Sequence, residues 1–302
     1  MTDLASAWVG EGERGSPLLL RLMSRLAKVA PGLVTDPLIW LISVYFTLFP
    51  SRAAAAASSV YLEKVLGHPP GFFERHRHVR TFAHVVLDRV RLLGSGIERF
   101  DVRSKHHALI ERRLAEGRGG VLLSAHFGSF EVLRALDKTL PGLSVRYLMF
   151  PDNAQKTTPM LDQINPEVAA QVISLHDGYA AMLDIREALA AWSFVGFLGD
   201  RMPVENARAE VAVPFFGKPM RVPISPYLSA ILAGVPLIMC FAPRVGSKTY
   251  EIEMFEIYDG APVARGERDA KCRELAEAYA AKLEEMCRRY PYNWFNFFDI
   301  WD

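Results

Sequence analysis

GGVLLSAHFGSFEVLRAL, residues 119–136, decides how the rest of the chain is read. Its first seven residues, Gly119 to Ala125, form an uncharged, largely apolar run. That length suits a buried strand and is short for a helix. His126 follows on a turn, Gly128 and Ser129 offer helix-capping residue types, and helical spacing of apolar residues begins at 129. Strand, polar turn and helix in close succession are the unit from which α/β sheets are assembled. The alternation continues outward. Further strands are expected over 144–150, 193–199, 211–215, 236–242 and 249–257, and helices over 105–117, 129–138, 178–191, 223–234 and 267–288. The pattern predicts an α/β fold: a mixed, largely parallel sheet flanked by helices. Only a short turn around Gly246 separates 236–242 from 249–257, so that pair is expected to be antiparallel.

Upstream of about residue 95 the pattern is helical. We therefore divide the chain into an N-terminal helical, membrane-associating region, residues 1–94, and an α/β domain, residues 95–302. Residues 16–30 place Leu and Met on one face and Arg21, Arg25 and Lys28 on the other, with Ser16 as cap and Pro17 at the first helical position. The run from Pro37 to Ser51 carries no charge. A spanning helix needs about 20 apolar residues, so an interfacial or buried helix is the better expectation. The alanine-rich stretch that follows is expected to be helical up to Gly67. Residues 71–93 read as an amphipathic helix with Phe72, Phe73, Val79, Phe82, Val86 and Leu93 near one face. Its histidines, His76, His78 and His84, lack the spacing of a metal site and are expected to be packed or solvated.

The composition excludes several classes. Half of the 302 residues are hydrophobic and 23% are charged, which rules out a disordered chain. With 35 basic and 34 acidic residues, net charge gives no nucleic-acid signal. The balance hides an asymmetry: residues 1–113 carry a net +6 and the remainder −5. A basic, apolar N-terminal third fits a surface facing anionic head groups, although a basic helical face in plain solvent gives the same count. Cys240, Cys272 and Cys287 are far apart, which argues against a zinc site or a disulfide framework and fits a reducing compartment. The first residues lack the basic-then-apolar pattern of a secretory signal.

Ligands in open α/β sheets bind beyond the carboxyl ends of strands. Two such ends carry unusual polar residues. The first is His126, with Glu131 in the following helical turn. A histidine held by a carboxylate removes a proton from a hydroxyl or polarises a water, and N–H groups at the helix start are placed to help an oxyanion. The bland alternative is a histidine that caps a helix. The second end is Asp200-Arg201 after 193–199. Burying such a pair costs free energy unless it is paired or binds something. Arg201 suits a phosphate or a tetrahedral intermediate, and a structural Asp–Arg ion pair is the competing reading. Ser129 is a conceivable nucleophile, but capping is its blander role. There is no G-x-S-x-G, no nucleotide-binding glycine motif and no H-E-x-x-H.

Taken in order, His126-Phe127-Gly128-Ser129-Phe130-Glu131, then Gly199-Asp200-Arg201, then Val213-Pro214-Phe215-Phe216-Gly217-Lys218-Pro219, resemble the lipid A biosynthesis late acyltransferase family. That family is a branch of the glycerolipid acyltransferase superfamily. The likeness extends to Trp8, to Glu13–Ser16 and to the aromatic tail Tyr290–Trp301. It implies acyl transfer from a thioester of acyl carrier protein or coenzyme A to a hydroxyl of a lipid acceptor. No cofactor beyond the thioester co-substrate, no metal and no nucleic acid are implied. The family's His-x4-Asp/Glu motif maps onto His126 as general base and Glu131 as its orienting partner. Arg201 completes the implied catalytic set as a substrate or oxyanion contact. Phe127, Gly128, Ser129, Asp200, Phe215, Phe216, Gly217 and Arg221 are implied substrate-binding residues, with the Phe-Phe-Gly segment lining the acyl or acceptor path. A structural pair of aromatic residues at a strand end is the competing reading for Phe215 and Phe216.

Ser129-Phe130 stands where lipid A enzymes usually have Asn-Trp, and Met220-Arg221-Val222-Pro223 where smaller residues are commoner. These departures are similar to relatives found with aryl-polyene or pigment-lipid biosynthesis. The implied location is the cytoplasmic face of the bacterial inner membrane, peripheral or monotopic. Two rival functions remain from the residues alone: a thioester or lipid-ester hydrolase using His126-activated water, and a non-catalytic membrane-binding protein of the same fold.

Overall fold

In a computed structural model, the residues described are 32–301 except 96, 105–106, 136–141, 150–170, 175–177 and 202–209. The helix expected over 16–30 and the motif around Trp8 lie outside them. Strand β1 spans Asp101–Ser104, β2 Gly120–Ser124, β3 Val145–Met149, β4 Val172–Ser174 and β5 Phe194–Leu198. Strands β6 (Glu210–Phe215) and β7 (Lys218–Pro223) form a separate antiparallel hairpin, and β8 (Leu237–Phe241) and β9 (Thr249–Tyr258) complete the set. The main sheet has seven strands in the order β1-β9-β8-β2-β5-β3-β4. Every pairing in it is parallel except β8 with β9, the antiparallel pair expected from the short Gly246 turn. The fold is the α/β class anticipated.

Each residue of β2 is buried, as a strand with neighbours on both edges and helices on both faces must be. Helices α1 (Gly32–Leu48), α2 (Arg52–Leu66) and α3 (Phe72–Ser95) precede the sheet. Helices α4 (His107–Ala115), α5 (Phe130–Ala135), α6 (Gly178–Ala190), α7 (Ser225–Ala233) and α8 (Arg268–Arg289) are interleaved with it. One face of the sheet packs on Tyr227 of α7 and on Leu275, Tyr279 and Leu283 of α8. The other packs on Val85 and Leu92 of α3, Ile110 of α4 and Val132 of α5. Three strands escape a hydrophobicity reading. β1 alternates exposed and half-buried residues, β4 has three residues, and β7 carries Lys218, Arg221 and two prolines.

Ser51 caps α2, its hydroxyl accepting from the Ala54 N–H at 3.2 Å, and Gly67 ends the helix at φ +79°. The apolar run therefore splits. α1 stops at Leu48, and α2 leaves it at a bend of 99°. Among the described residues no single helix is long and apolar enough to cross a membrane, while this bent pair is, by length and composition.

Helix α3 corrects the expected amphipathic face. Phe73 is 82% exposed, and Phe82 and Val86 are exposed as well, whereas His76, His78, His84, Asp88 and Arg91 are buried. Asp88, Arg91 and His78 go inward because partners await them there. Asp88 accepts from Arg244 Nε at 3.0 Å and from the Tyr250 hydroxyl at 2.8 Å. Arg91 donates to Thr35 at 2.9 Å. His78 is held by Ser58 and by the Trp294 carbonyl, each at 2.8 Å. Hydrogen bonding of this kind removes most of the cost of burial.

Burial pushes His78 down to about 4, and burial together with the nearby Arg244 takes His84 to about 4. Both histidines are neutral in the folded protein. Between their ordinary 6.5 and about 4 the unfolded chain binds protons that the folded chain refuses, so stability falls as pH falls through that window. The urea midpoint is expected to drop between pH 7 and pH 4.5, with a shallower drop in His78→Gln. A midpoint flat over that range would contradict the buried neutral state.

Candidate active site

β2 and β5 are paired in parallel with Ser124 opposite Leu198, so their carboxyl ends lie side by side. The Gly199 N–H donates to the Ser124 carbonyl at 2.9 Å and extends the pairing one step. This sets Asp200 against His126. The Asp200 carboxylate takes the His126 backbone N–H on Oδ2 and His126 Nδ1 on Oδ1, both at 2.9 Å. A third donor, the Trp294 indole Nε1–H, reaches Oδ2 at 3.0 Å. Asp200 is 3% exposed. Burial alone would raise its carboxyl, but His126, Arg201 and the hydrogen bonds from His126 outweigh it and hold the group well below the usual carboxylate range. Burial lowers the His126 imidazole below its ordinary value, with Arg201 and Arg89 acting in the same direction and Asp200 opposing them. A carboxylate at Nδ1 keeps the proton there, and Nε2 is left with its lone pair. The side chain retains 30% exposure. The result is an imidazole held in a fixed orientation by Asp200 and still partly exposed.

Glu131 does not hold His126. Its Oε1 lies 2.6 Å from Nε of Arg89 on α3, and the expected orienting role falls geometrically to Asp200. The Asp-Arg step is no ion pair either. Arg201 donates to the Phe295 carbonyl at 3.1 Å and lies 4.8 Å from the Phe298 ring centroid. Among the described residues, its buried Nε has no hydrogen-bond partner.

The His126 turn is clamped between the end of β8 and the C-terminal tail. Gly128 has φ +64°, and a Cβ there would lie 1.9 Å from the Ala242 carbonyl oxygen, so only glycine fits. The Gly128 N–H donates to Asn293 O at 2.8 Å, the Ser129 N–H to Ala242 O at 3.0 Å, and the Phe295 N–H to His126 O at 2.8 Å. The N–H groups of Phe127, Gly128 and Ser129 are all engaged by main-chain carbonyls, so these three, which precede the helix start at Phe130, are not free to receive an oxyanion. Arg201 and Arg89 are the cations that act on His126. Ser129 is buried and its hydroxyl has no hydrogen-bond partner among the described residues, so it neither caps α5 through its side chain nor hydrogen-bonds His126. Phe127 is buried against Phe241, with centroids 5.5 Å apart.

The remaining expected site residues lie on the hairpin. Phe215 is fully buried and packs 5.2 Å from Trp294, behind Asp200. Phe216, at φ +49°, gives its N–H to Glu284 at 2.6 Å and sits under Arg288. They form a packed wall behind the site rather than an open path. Gly217 completes that turn at φ +75°. Arg221 pairs with Glu210 across the hairpin on an exposed side, and no bond links it to His126. Among the described residues, no group of three or more His, Cys, Asp or Glu is arranged to hold a metal.

Trp294 escaped the sequence reading as a site residue. Its only signal was a polar-aromatic tail, Asn293-Trp294-Phe295-Asn296, too dense in large residues for an exposed end.

The family described as bacterial lipid A biosynthesis acyltransferase matches residues 95–302, a stretch that includes His126, Asp200, Arg201 and Trp294. The chain belongs to that family. Membership makes it a protein of the lipid acyltransferase class, working in general terms on an acyl donor and a lipid acceptor. A comparison with curated proteins finds no match.

Proposed function

We propose that the protein is an O-acyltransferase that moves a fatty-acyl or related polyene acyl chain from an acyl carrier protein or coenzyme A thioester to a hydroxyl of a lipid acceptor. The observation that carries this reading is His126, held at Nδ1 by the charged Asp200 while its side chain remains 30% exposed. Nε2 takes the proton of the acceptor hydroxyl as its oxygen attacks the thioester carbonyl. The C–O bond forms, the negative charge collects on the carbonyl oxygen, and the C–S bond breaks as that charge returns. The imidazolium then gives its proton to the leaving thiolate. Asp200 stabilises the imidazolium while remaining ionised, because its own proton affinity is far below that of imidazole. Arg201, whose buried Nε has no partner among the described residues, is our candidate for meeting the oxyanion. Direct attack needs no covalent enzyme intermediate and no cofactor besides the thioester. Ser129-Phe130 in place of Asn-Trp leads us to an acceptor other than lipid A itself.

We further propose that the protein works on the cytoplasmic face of the bacterial inner membrane. Exposed Trp40, Leu41, Tyr45 and Phe46 on α1, with Phe49 just after it and Phe73 on α3, support this. An apolar array of this size in a chain with a basic N-terminal third suits the headgroup–acyl boundary.

The central test is mass spectrometry of purified protein with mixed acyl carrier protein thioesters, coenzyme A thioesters and a bacterial lipid extract. A new acylated lipid is expected, reduced about 10²–10⁴-fold in a folded His126→Ala variant. Free fatty acid alone would favour a hydrolase, and no turnover with any donor would favour a non-catalytic binding protein. For the membrane, co-sedimentation with anionic vesicles is expected, weakening as salt shortens the Debye length from about 8 Å. Leu41→Ser with Phe49→Ser should reduce it further, since both side chains are more than half exposed. Binding unchanged by both salt and these substitutions would contradict the interfacial reading.

A further inference from the structure

We infer that Trp294 is a positioning residue of this site: its indole N–H locks the Asp200 carboxylate and, through it, the ring of His126. Indole is a donor with no acceptor capacity, so a buried Trp must find an acceptor for its single N–H. Trp294 is fully buried, and the acceptor it has is Oδ2 of Asp200. The same oxygen takes the His126 backbone N–H. With two donors fixed on Oδ2, the carboxylate cannot rotate, and Oδ1 is presented to Nδ1 of the imidazole.

The indole is itself immobilised. The bonds from the Gly128 N–H to Asn293 O and from the Phe295 N–H to His126 O bracket Trp294 in a short antiparallel bridge with Phe127. Tyr61 and Phe215 meet its ring edge-on, at 4.9 and 5.2 Å. Its carbonyl accepts from Nε2 of His78, whose Nδ1 faces the Ser58 hydroxyl. A continuous buried chain, Ser58–His78–Trp294–Asp200–His126, therefore runs from the N-terminal helices to the base. His78 is suited to its link because it stays neutral: Nε2 donates and Nδ1 accepts.

A tryptophan that merely filled the core would leave the behaviour of His126 untouched when its N–H is removed. Trp294→Phe keeps an aromatic ring and deletes the donor. The Asp200 charge is then shared with one fewer N–H, so it stabilises the imidazolium more strongly, and His126 titrates at higher pH. The other charged groups facing His126 are unchanged by the substitution: Arg201 beyond β5, and Arg89 on α3 with its partner Glu131 on α5.

The experiment is an NMR titration of His126 in the full chain, with His126→Ala for assignment, wild type against Trp294→Phe. The expected result is an upward shift of the midpoint, and an unchanged or lowered midpoint overturns the inference. This readout requires no turnover, so it succeeds or fails separately from the proposed acyl transfer, on which only the kinetic arm rests. In that arm kcat falls about tenfold with KM nearly unchanged, and the acid limb of the kcat profile moves upward. If Trp294→Phe does not fold, wild type carries the decisive measurement. The Trp294 indole resonance, assigned by elimination among the five tryptophans, titrates in step with His126 if the bond exists. A Trp294 resonance flat across that titration overturns the inference.

Discussion

A single buried carboxylate organises this protein. Asp200 is almost wholly removed from solvent, yet it remains ionised because three N–H donors and a neighbouring guanidinium compensate the lost water. An unpaired charge at such a depth would be neutralised by a proton instead. The donors that hold the charge come from distant parts of the chain: two from the turn after β2 and one from the C-terminal tail. Parallel pairing of β2 and β5 brings the first two to Asp200. The tail brings the third by running beside the His126 turn as an extra strand segment.

The N-terminal helices belong to the same construction, although the family match begins at residue 95. Polar links join α3 to the sheet and its site. His78 holds the Trp294 carbonyl, Arg89 holds Glu131 on α5, and Asp88 anchors both Arg244 just beyond β8 and Tyr250 on β9. The Tyr61 hydroxyl on α2 adds a link of its own by donating to the Pro291 carbonyl at the start of the tail. The face of α1 turned away from this network carries the exposed aromatic and aliphatic side chains. The helices that carry this exposed apolar face are thus joined, through buried hydrogen bonds, to the segments around His126 and Asp200.

Much of this is legible in the sequence where local pattern and tertiary fate agree. The apolar run before His126 has to be a central strand, and the short Gly246 turn has to reverse the chain. Legibility fails where a residue's partner lies far along the chain. Glu131, five residues from His126, looked like its carboxylate, while Asp200 is 74 residues away and reaches it only because two strand ends coincide. Helix α3 misled for a related reason. Its phenylalanines suggested the buried side, but the partners for His78, Asp88 and Arg91 lie on other elements. β1 and β4 were missed because three or four residues carry too little periodicity to distinguish a strand from a loop.

The claim on which the account rests is that the carboxylate of Asp200, and not that of Glu131, orients the base. It is tested most directly by kcat of folded Asp200→Asn and Glu131→Gln variants, compared side by side with the acyl donor and acceptor that the wild type uses. An amide at Asp200 cannot hold Nδ1–H and accept the two other N–H groups equally well, and loss of such a partner elsewhere costs up to about 10⁴ in kcat. The account predicts a loss of that order for Asp200→Asn and one at least about tenfold smaller for Glu131→Gln, whose carboxylate serves Arg89. A Glu131→Gln variant as inactive as His126→Ala, beside an Asp200→Asn variant near wild type, would contradict it.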